Sequence, residues 1–320
     1  MNDTTNDRVA TRYSVGALRI ERLAGTDWRH HTIRVWSQYG DCGALAAGGV
    51  ARYSSPMPHA VEAELVENKQ LPQDNYLLTF RAPSISSETL PGQFVMAAPK
   101  THQVVPSPLL KRPLAVYSVH GPLLTVLIKA IGEGTARLGL MRPGQIANLI
   151  GPLGNGFDLT AGRGKINFLI AGGVGIASVY LLAQKLKQQG DETHLLYGAR
   201  TAADLILLDD FQALDVPVVP ATDDGSCGFR GFVTAALGDY MRGYDISLLN
   251  FYACGPEPML KAVSAFACAQ HIPCQVSVEA RMACGFGVCL GCSVKTKDGY
   301  RLACSDGPVF QASELIWDKS

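Results

Sequence analysis

Four cysteines near the C terminus, Cys284, Cys289, Cys292 and Cys304, follow the spacing C-x4-C-x2-C-x11-C. This is the plant-type [2Fe–2S] pattern, in which three ligands on one tight loop wrap a cluster and a fourth from the next hairpin closes it. A segment built this way is shaped by its metal sulfide as much as by packing. Gly285, Gly287 and Gly291 are expected to take positive φ and let backbone N–H groups approach the negative charge. Two other readings stay open. A structural zinc can also be held by four cysteines, although such sites normally come as paired C-x2-4-C knuckles and only one C-x2-C pair exists here. The thiols can also be plain core side chains. No histidine lies between Arg281 and Ser320, which excludes a Rieske ligand set.

The nine cysteines are an odd number in a chain of 320 residues, too long to need staples, which argues against a secreted disulfide framework. Lys and Arg number 28 and Asp and Glu 28, so the electrostatic excess expected of a nucleic-acid or anionic-membrane binder is missing. No stretch reaches the ~18 to 20 apolar residues of a membrane span, and no secretory leader is visible, so the expectation is a soluble cytoplasmic protein.

Residues 1–56 hold seven arginines and no lysine and show no sustained apolar period. They read as an extension, disordered or outside the core, with translation starting at Met57 as one explanation and a partner-binding arm as another. Residues 57–160 carry short apolar runs at 76–80, 94–98, 114–119, 123–130 and 146–150, broken by Pro and Gly, which reads as a small antiparallel barrel. From 161 to 279 the pattern alternates strand and helix: 166–171, then 176–189, then 193–197, and later 248–253, 258–270 and 275–278. That alternation implies a parallel sheet flanked by helices. Residues 280–320 form the cysteine-rich domain. The expected fold is therefore α+β and multidomain.

Two turns in the α/β part carry chemistry. The segment IAGGVGIAS at 170–178 joins an apolar strand to a helix, where Gly172, Gly173, Val174 and Gly175 let a pyrophosphate approach a helix N terminus. The fingerprint is incomplete, and a glycine turn can also serve packing alone. The segment ACGPEPML at 253–260 is a second strand end opening into a helix, with Gly255, Pro256 and Glu257 in the turn. In the barrel, Arg112 in LKRPLAVY and the GEGT segment ending in Gly134 and Thr135 can meet a phosphate, or be an exposed strand and a helix cap.

Taken together, RP-x-x, GxGT, GGVG, CGPEPM and a terminal four-cysteine segment resemble the ferredoxin-reductase-type electron-transfer proteins. Within them, EARMACGFGVCLGC at 279–292 and CSDGPVF at 304–310 resemble the electron transfer subunits of dihydroorotate dehydrogenase B, over about residues 59–317. The resemblance implies an FAD-binding barrel, with Arg112, Pro113, Leu114, Ala115, Leu127, Ile128, Lys129, Gly134 and Thr135 at the flavin. It implies NAD(H) as substrate of the α/β domain at the two turns, with Cys254 near the nicotinamide or simply a buried thiol. It also implies a [2Fe–2S] cluster on the four cysteines and an FMN-containing catalytic partner, two of each subunit, serving pyrimidine biosynthesis. Electrons then pass from the partner to NAD⁺, and no acid–base pair is needed for hydride transfer.

This chain departs from the family in two places: Ala115 where Ser is usual, and Ser178 where Pro is common. The lost hydroxyl at Ala115 is worth ~1 kcal/mol of flavin hydrogen bonding. Phe286, Val288 and Leu290 on the cluster loop are expected to face the partner or to shield the cluster. Cys42, Cys227, Cys268 and Cys274 read as ordinary thiols. The rival assignments are the flavin subunit of an NADH-dependent ferredoxin:NADP oxidoreductase or of a cytoplasmic hydrogenase, and, in another class, a zinc-stabilised nucleotide-binding module without catalysis. The choice between NAD and NADP stays open, because Arg200 in the loop at 197–201 can meet a 2′-phosphate.

Overall fold

The computed structural model describes residues 58–100 and 110–317, together with the backbone of three strands nearer the N terminus. Those strands are β1 (Val9–Val15), β2 (Leu18–Leu23) and β3 (Thr32–Ser37), paired antiparallel in that order within a separate unit, Met1–Ser54. The sequence reading places no element there. The period-two alternation of Thr32, Ile33, Arg34, Val35, Trp36 and Ser37 is a strand signal, but a short and arginine-diluted one. Cys42 and the remainder of the extension lie outside the described residues.

The second unit, Ser55–Ser320, begins with the barrel. Its elements are β4 (His59–Leu71), β5 (Asn75–Arg81), α1 (Pro83–Ser86), β6 (Phe94–Pro99), β7 (Arg112–His120), β8 (Leu123–Lys129), α2 (Glu133–Gly139) and β9 (Ile146–Leu153). The six strands close in the order β4-β5-β8-β7-β6-β9, which removes every open sheet edge. Each apolar run read from the sequence falls on a strand, and the inward residues Leu65, Phe80, Val95, Val126 and Leu149 fill the interior.

The α/β part comprises β10 (Ile166–Gly172), α3 (Ile176–Gln188), β11 (Glu192–Ala199), α4 (Leu208–Gln212), β12 (Val218–Thr222), β13 (Phe229–Arg230), α5 (Val233–Tyr240), β14 (Leu249–Cys254), α6 (Glu257–Ala269) and β15 (Cys274–Ser277). The strands run parallel in the order β13-β12-β11-β10-β14-β15. The middle of this sheet, β12 to α5, carries too weak a period to read from sequence. Along β10 all of Phe168, Leu169, Ile170 and Ala171 are buried, as a strand covered on both faces requires. Phe168 and Ile170 pack with Leu237 of α5 and Val263 of α6, whereas Leu169 and Ala171 pack with Val179 and Leu182 of α3 and Phe211 of α4.

The last segment adds the hairpin β16 (Ser293–Thr296) and β17 (Gly299–Leu302), then β18 (Val309–Gln311), which pairs antiparallel with β15. The cysteine segment is thereby stitched to the sheet edge. The barrel and the sheet layers also exchange side chains: Leu181 of α3 belongs to the barrel core, and Tyr117 of β7 packs into the helical layer. The Tyr117 ring stacks on Tyr180 at 4.3 Å and its hydroxyl donates to the Asp210 carboxylate on α4. Burial and then that carboxylate push the Tyr117 phenol far above its ordinary range, so it stays a donor.

Candidate active site and cluster loop

The sheet reverses its winding direction between β10 and β14. The chain leaves β10 through α3 towards β11 and leaves β14 through α6 towards β15 on the other side. Ligands of open α/β sheets bind at the carboxyl ends of such a switch point. Both glycine turns lie there and abut. A Cβ on Gly175 would stand 2.3 Å from the Cys254 carbonyl oxygen, and one on Gly255 would stand 3.0 Å from Gly172 Cα. Only hydrogen fits at these positions.

Two cavities open at this edge. The larger, about 540 Å³, is lined by Gly172, Gly173, Pro256 and Met259 on the switch-point side and by Arg200, Asp204, Asp223 and Phe232 on the far side. The smaller, about 250 Å³, lies between barrel and sheet and is mostly apolar. Pro113, Leu114, Ala115, Leu127, Ile128, Lys129, Thr135, Val174 and Cys254 line it, and Lys129 lines both cavities. The sequence-predicted residues divide accordingly. Gly175 and Gly255 act in packing the turns together, and Glu257 lines neither cavity.

Arg112 lies beside the first turn of α2, where a Cβ on Gly134 would meet its Nε at 2.4 Å. The Thr135 hydroxyl, expected as a free donor, is engaged. It accepts from the N–H of Ile131 and of Gly132 at 3.2 and 3.3 Å and donates to the Gly132 carbonyl at 3.1 Å, so it caps α2.

Cys254 is buried at the floor of the smaller cavity. Burial pushes its thiol up to about 11, against the lowering contacts of the Ser178 and Ser277 hydroxyls, so it stays protonated at neutral pH. The non-family Ser178 therefore has a partner. Glu279 lines the same cavity, and burial raises its carboxyl above the ordinary range. Sequence reasoning missed it as a separate feature because it reads as the first letter of the cysteine motif.

The cysteine loop leaves this cavity. Gly285 and Gly287 take φ of +84° and +86°, as expected. Gly291 does not; Leu290 adopts the left-handed conformation instead, at φ +59°. A Cβ on Gly285 would lie 2.5 Å from Met96 Cγ, so the loop sits directly on barrel strand β6. The Gly287 N–H donates to Cys304 Sγ at 3.1 Å and the Cys289 N–H to Cys284 Sγ at 3.5 Å. Burial pushes the Cys284 thiol up, and the N–H groups of Phe286, Cys289 and Val288 outweigh it and bring it down to about 6. Burial and the neighbouring Cys292 push Cys304 up to about 12.

Among the described residues no three His, Cys, Asp or Glu side chains gather round one point as a single ion requires. Backbone N–H groups do reach two of the four sulfurs, as a loop that carries negative charge requires. Asn155 fastens the turn of the fourth cysteine. Its side chain donates to the carbonyls of Ser305 and Asp306 at 3.2 and 3.0 Å, a tie across 150 residues of sequence that no local pattern announces. Phe286, Val288 and Leu290 are exposed at 42%, 73% and 63%, so the apolar loop does face outwards. Cys227 is half-buried, Cys268 exposed and Cys274 buried.

Comparison with known proteins matches the cysteine segment and the α/β part to family models, and most of the chain to curated relatives. Residues 279–316 fit the iron-sulfur cluster binding domain of dihydroorotate dehydrogenase B, and residues 169–265 fit the oxidoreductase NAD-binding domain. The chain is 35% identical over 263 residues to the dihydroorotate dehydrogenase B (NAD(+)) electron transfer subunit of Caldanaerobacter subterraneus subsp. tengcongensis, covering 80% of this chain and 98% of that one. It belongs to this family of electron transfer subunits. The corresponding subunit of Desulforamulus reducens is 34% identical over 269 residues, covering 82% of this chain and all of that one. Among solved structures, the NADH-dependent reduced ferredoxin-NADP oxidoreductase superposes with a TM-score of 0.71 at 31% identity, over 81% of this chain and 91% of that one. A ferredoxin NADP⁺ reductase from Neisseria gonorrhoeae, with a TM-score of 0.57 at 19% identity over 66% of this chain and 91% of that one, shares the fold. The barrel, the switch-point turns and the cysteine loop are the family's architecture. No described helix is long and apolar enough to cross a membrane.

Proposed function

We propose that this chain is the NAD-linked electron transfer subunit of a dihydroorotate dehydrogenase, an oxidoreductase component that acts on dihydroorotate only through a catalytic partner. The observation that carries the reading is the continuous arrangement of cysteine loop, apolar cavity and switch-point cavity, with the loop packed on the barrel wall and Lys129 shared by both cavities. The partner is read as an FMN-bearing chain, two of each subunit, and the assembly as cytoplasmic.

Cys284, Cys289, Cys292 and Cys304 would hold the [2Fe–2S] cluster, with the Gly287 and Cys289 N–H groups offsetting charge on the Cys304 and Cys284 sulfurs. The smaller cavity suits a flat ring system. Pro113, Leu114, Ala115, Leu127, Ile128 and Lys129, which line it, would hold the flavin ring, and Arg112 beside Gly134 would meet its phosphates. When bound, the flavin supplies the conversion between single-electron and hydride chemistry, and the cluster supplies single-electron passage. Cys254, kept neutral by burial, and the apolar walls exclude water from the place where the nicotinamide lands. Gly172, Gly173 and Pro256 leave room for the dinucleotide beside the switch point.

A second reading, the flavin subunit of an NADH-dependent ferredoxin:NADP oxidoreductase, draws support from the structural likeness of that enzyme. Substituting Cys289 by Ser tests the first. It should bleach the cluster absorbance and stop dihydroorotate-driven NAD⁺ reduction in the reconstituted complex, while NADH oxidation by artificial acceptors continues. Unchanged activity in both assays refutes the cluster assignment. A purified wild type that forms no complex with an FMN-bearing subunit, and instead reduces ferredoxin, favours the second reading.

A further inference from the structure

The larger cavity has a far wall that the glycine turns do not explain. It is made by the end of β11, the turn after β12 and the start of α5, and three features of it point one way.

The turn after β12 is rigid. The Asp223 and Asp224 N–H groups donate to the Ala199 and Arg200 carbonyls at 3.1 and 3.3 Å. The Asp224 carboxylate accepts from the Ser226 hydroxyl and N–H at 2.6 and 2.9 Å, and the Ala202 N–H donates to the Ser226 hydroxyl at 2.8 Å. Asp224 is thus consumed in holding the turn to β11. Asp223 is not: it lines the cavity, and among the described residues its carboxylate has no partner.

Two cations share one carboxylate on this wall. The Arg200 guanidinium and the Lys129 ammonium both face Asp204, each at 3.8 Å. With Asp223 counted, two cations and two carboxylates line this cavity, so a further dianion would meet no net positive charge and would face the Asp223 carboxylate. The third feature is Phe232, which stands 71% exposed at the start of α5 on the same rim, after Gly231 turns the chain at φ +125°. An aromatic face left open beside a cavity is a shelf for a planar base.

We propose that Asp223 is the residue that makes this subunit select a dinucleotide with a free 2′-hydroxyl, accepting from the adenosine ribose while the adenine lies on Phe232. The inference rests on the reading of this cavity as the dinucleotide site. Arg200, which in sequence keeps a 2′-phosphate open, shares Asp204 with Lys129 here, and the neighbouring Asp223 carboxylate would oppose a 2′-phosphate.

The test is calorimetric titration of the full, cofactor-loaded chain with ADP-ribose and with 2′-phospho-ADP-ribose, two redox-inert probes. The wild type should bind ADP-ribose tighter by about 100-fold, as expected when a like charge opposes the phosphate. Asp223→Asn should cut that ratio by about tenfold or more, chiefly by admitting the phosphorylated probe. Phe232→Ala should weaken both probes by about tenfold and leave their ratio unchanged, since stacking is blind to the 2′ position. Arg200→Gln should leave the ratio within about twofold. Asp223 and Phe232 are exposed, so equal melting temperatures are expected and confirm that the variants are folded. If the wild type binds ADP-ribose and Asp223→Asn leaves the ratio unchanged, the role given to Asp223 falls and the cavity assignment stands. A wild type that binds neither probe overturns the cavity assignment itself.

Discussion

Alanine placed at each of three neighbouring glycines should give three different outcomes, because each hydrogen meets something different. Gly175 has a helical φ of −60° and suffers no backbone strain from a side chain, but its new Cβ would lie 2.3 Å from the Cys254 carbonyl oxygen and 2.8 Å from the Gly255 N. Backbone at the ends of two buried central strands cannot step aside as a side chain can. The substitution must push the turns apart, at a cost of about 2–3 kcal/mol, the upper part of the overpacking range. Gly173 lies in open space at φ +52°, so alanine there pays only left-handed strain, about 1 kcal/mol. Gly172 is extended at φ −130°, and its Cβ would meet Met259 Sδ at 2.7 Å and Pro256 Cδ at 2.9 Å; the thioether can rotate away but the proline ring cannot, so the cost should be about 1–2 kcal/mol.

The assay is urea unfolding followed by far-UV circular dichroism, with flavin retention and NADH affinity recorded on the same samples. The expected order of destabilisation is Gly175, then Gly172, then Gly173. Because Gly175→Ala separates the two turns that frame the dinucleotide site, NADH affinity should fall at least tenfold while flavin stays bound, since the barrel residues around the smaller cavity are untouched. A Gly175→Ala variant as stable as Gly173→Ala, with wild-type NADH affinity, would refute the abutment of the turns.

Two further changes probe the joints of the molecule. Tyr117→Phe keeps the ring stacked on Tyr180 and deletes only the hydroxyl that donates to Asp210, so it should cost about 1–2 kcal/mol, the lower part of the range for bonds to charged groups because Asp210 is half-exposed. Unchanged unfolding would mean that the bond between barrel and α4 contributes nothing. Glu279 carries a carboxyl raised by burial, so the folded chain binds its proton more readily than the unfolded chain does. Its contribution to stability is therefore present below the ordinary carboxylate range and is lost as pH rises through the folded pKa. Glu279→Gln should melt higher than wild type at about pH 8, with the difference shrinking towards about pH 4; a difference independent of pH would refute the burial of that charge.

Much of this architecture is local information. A ligand loop must present its sulfurs within a few residues of one another, so the cysteine spacing is written directly in the chain. The apolar runs of the barrel and the two glycine turns are legible for the same reason: period two and a strand-to-helix turn are properties of consecutive residues. The strand and helix of 166–189 were readable because their strong apolar pattern is long. The segment from β12 to α5 was not, being short, polar-flanked and dependent on the sheet for its shape.

The rest is contact between distant parts, which no period records. That Leu290 and not Gly291 takes the left-handed turn depends on how the cysteine loop lies on Met96. Thr135 reads in sequence as either a phosphate contact or a helix cap, and the fold shows the cap. Arg200 leaves the choice of dinucleotide open in sequence, and only the fold shows that Asp204 lies 3.8 Å from it. The residue types and their spacing by themselves determined which cofactor chemistry this chain can support; the tertiary structure alone decided which charges remain unpaired at the site, because pairing is settled by distance in space and not by distance along the chain.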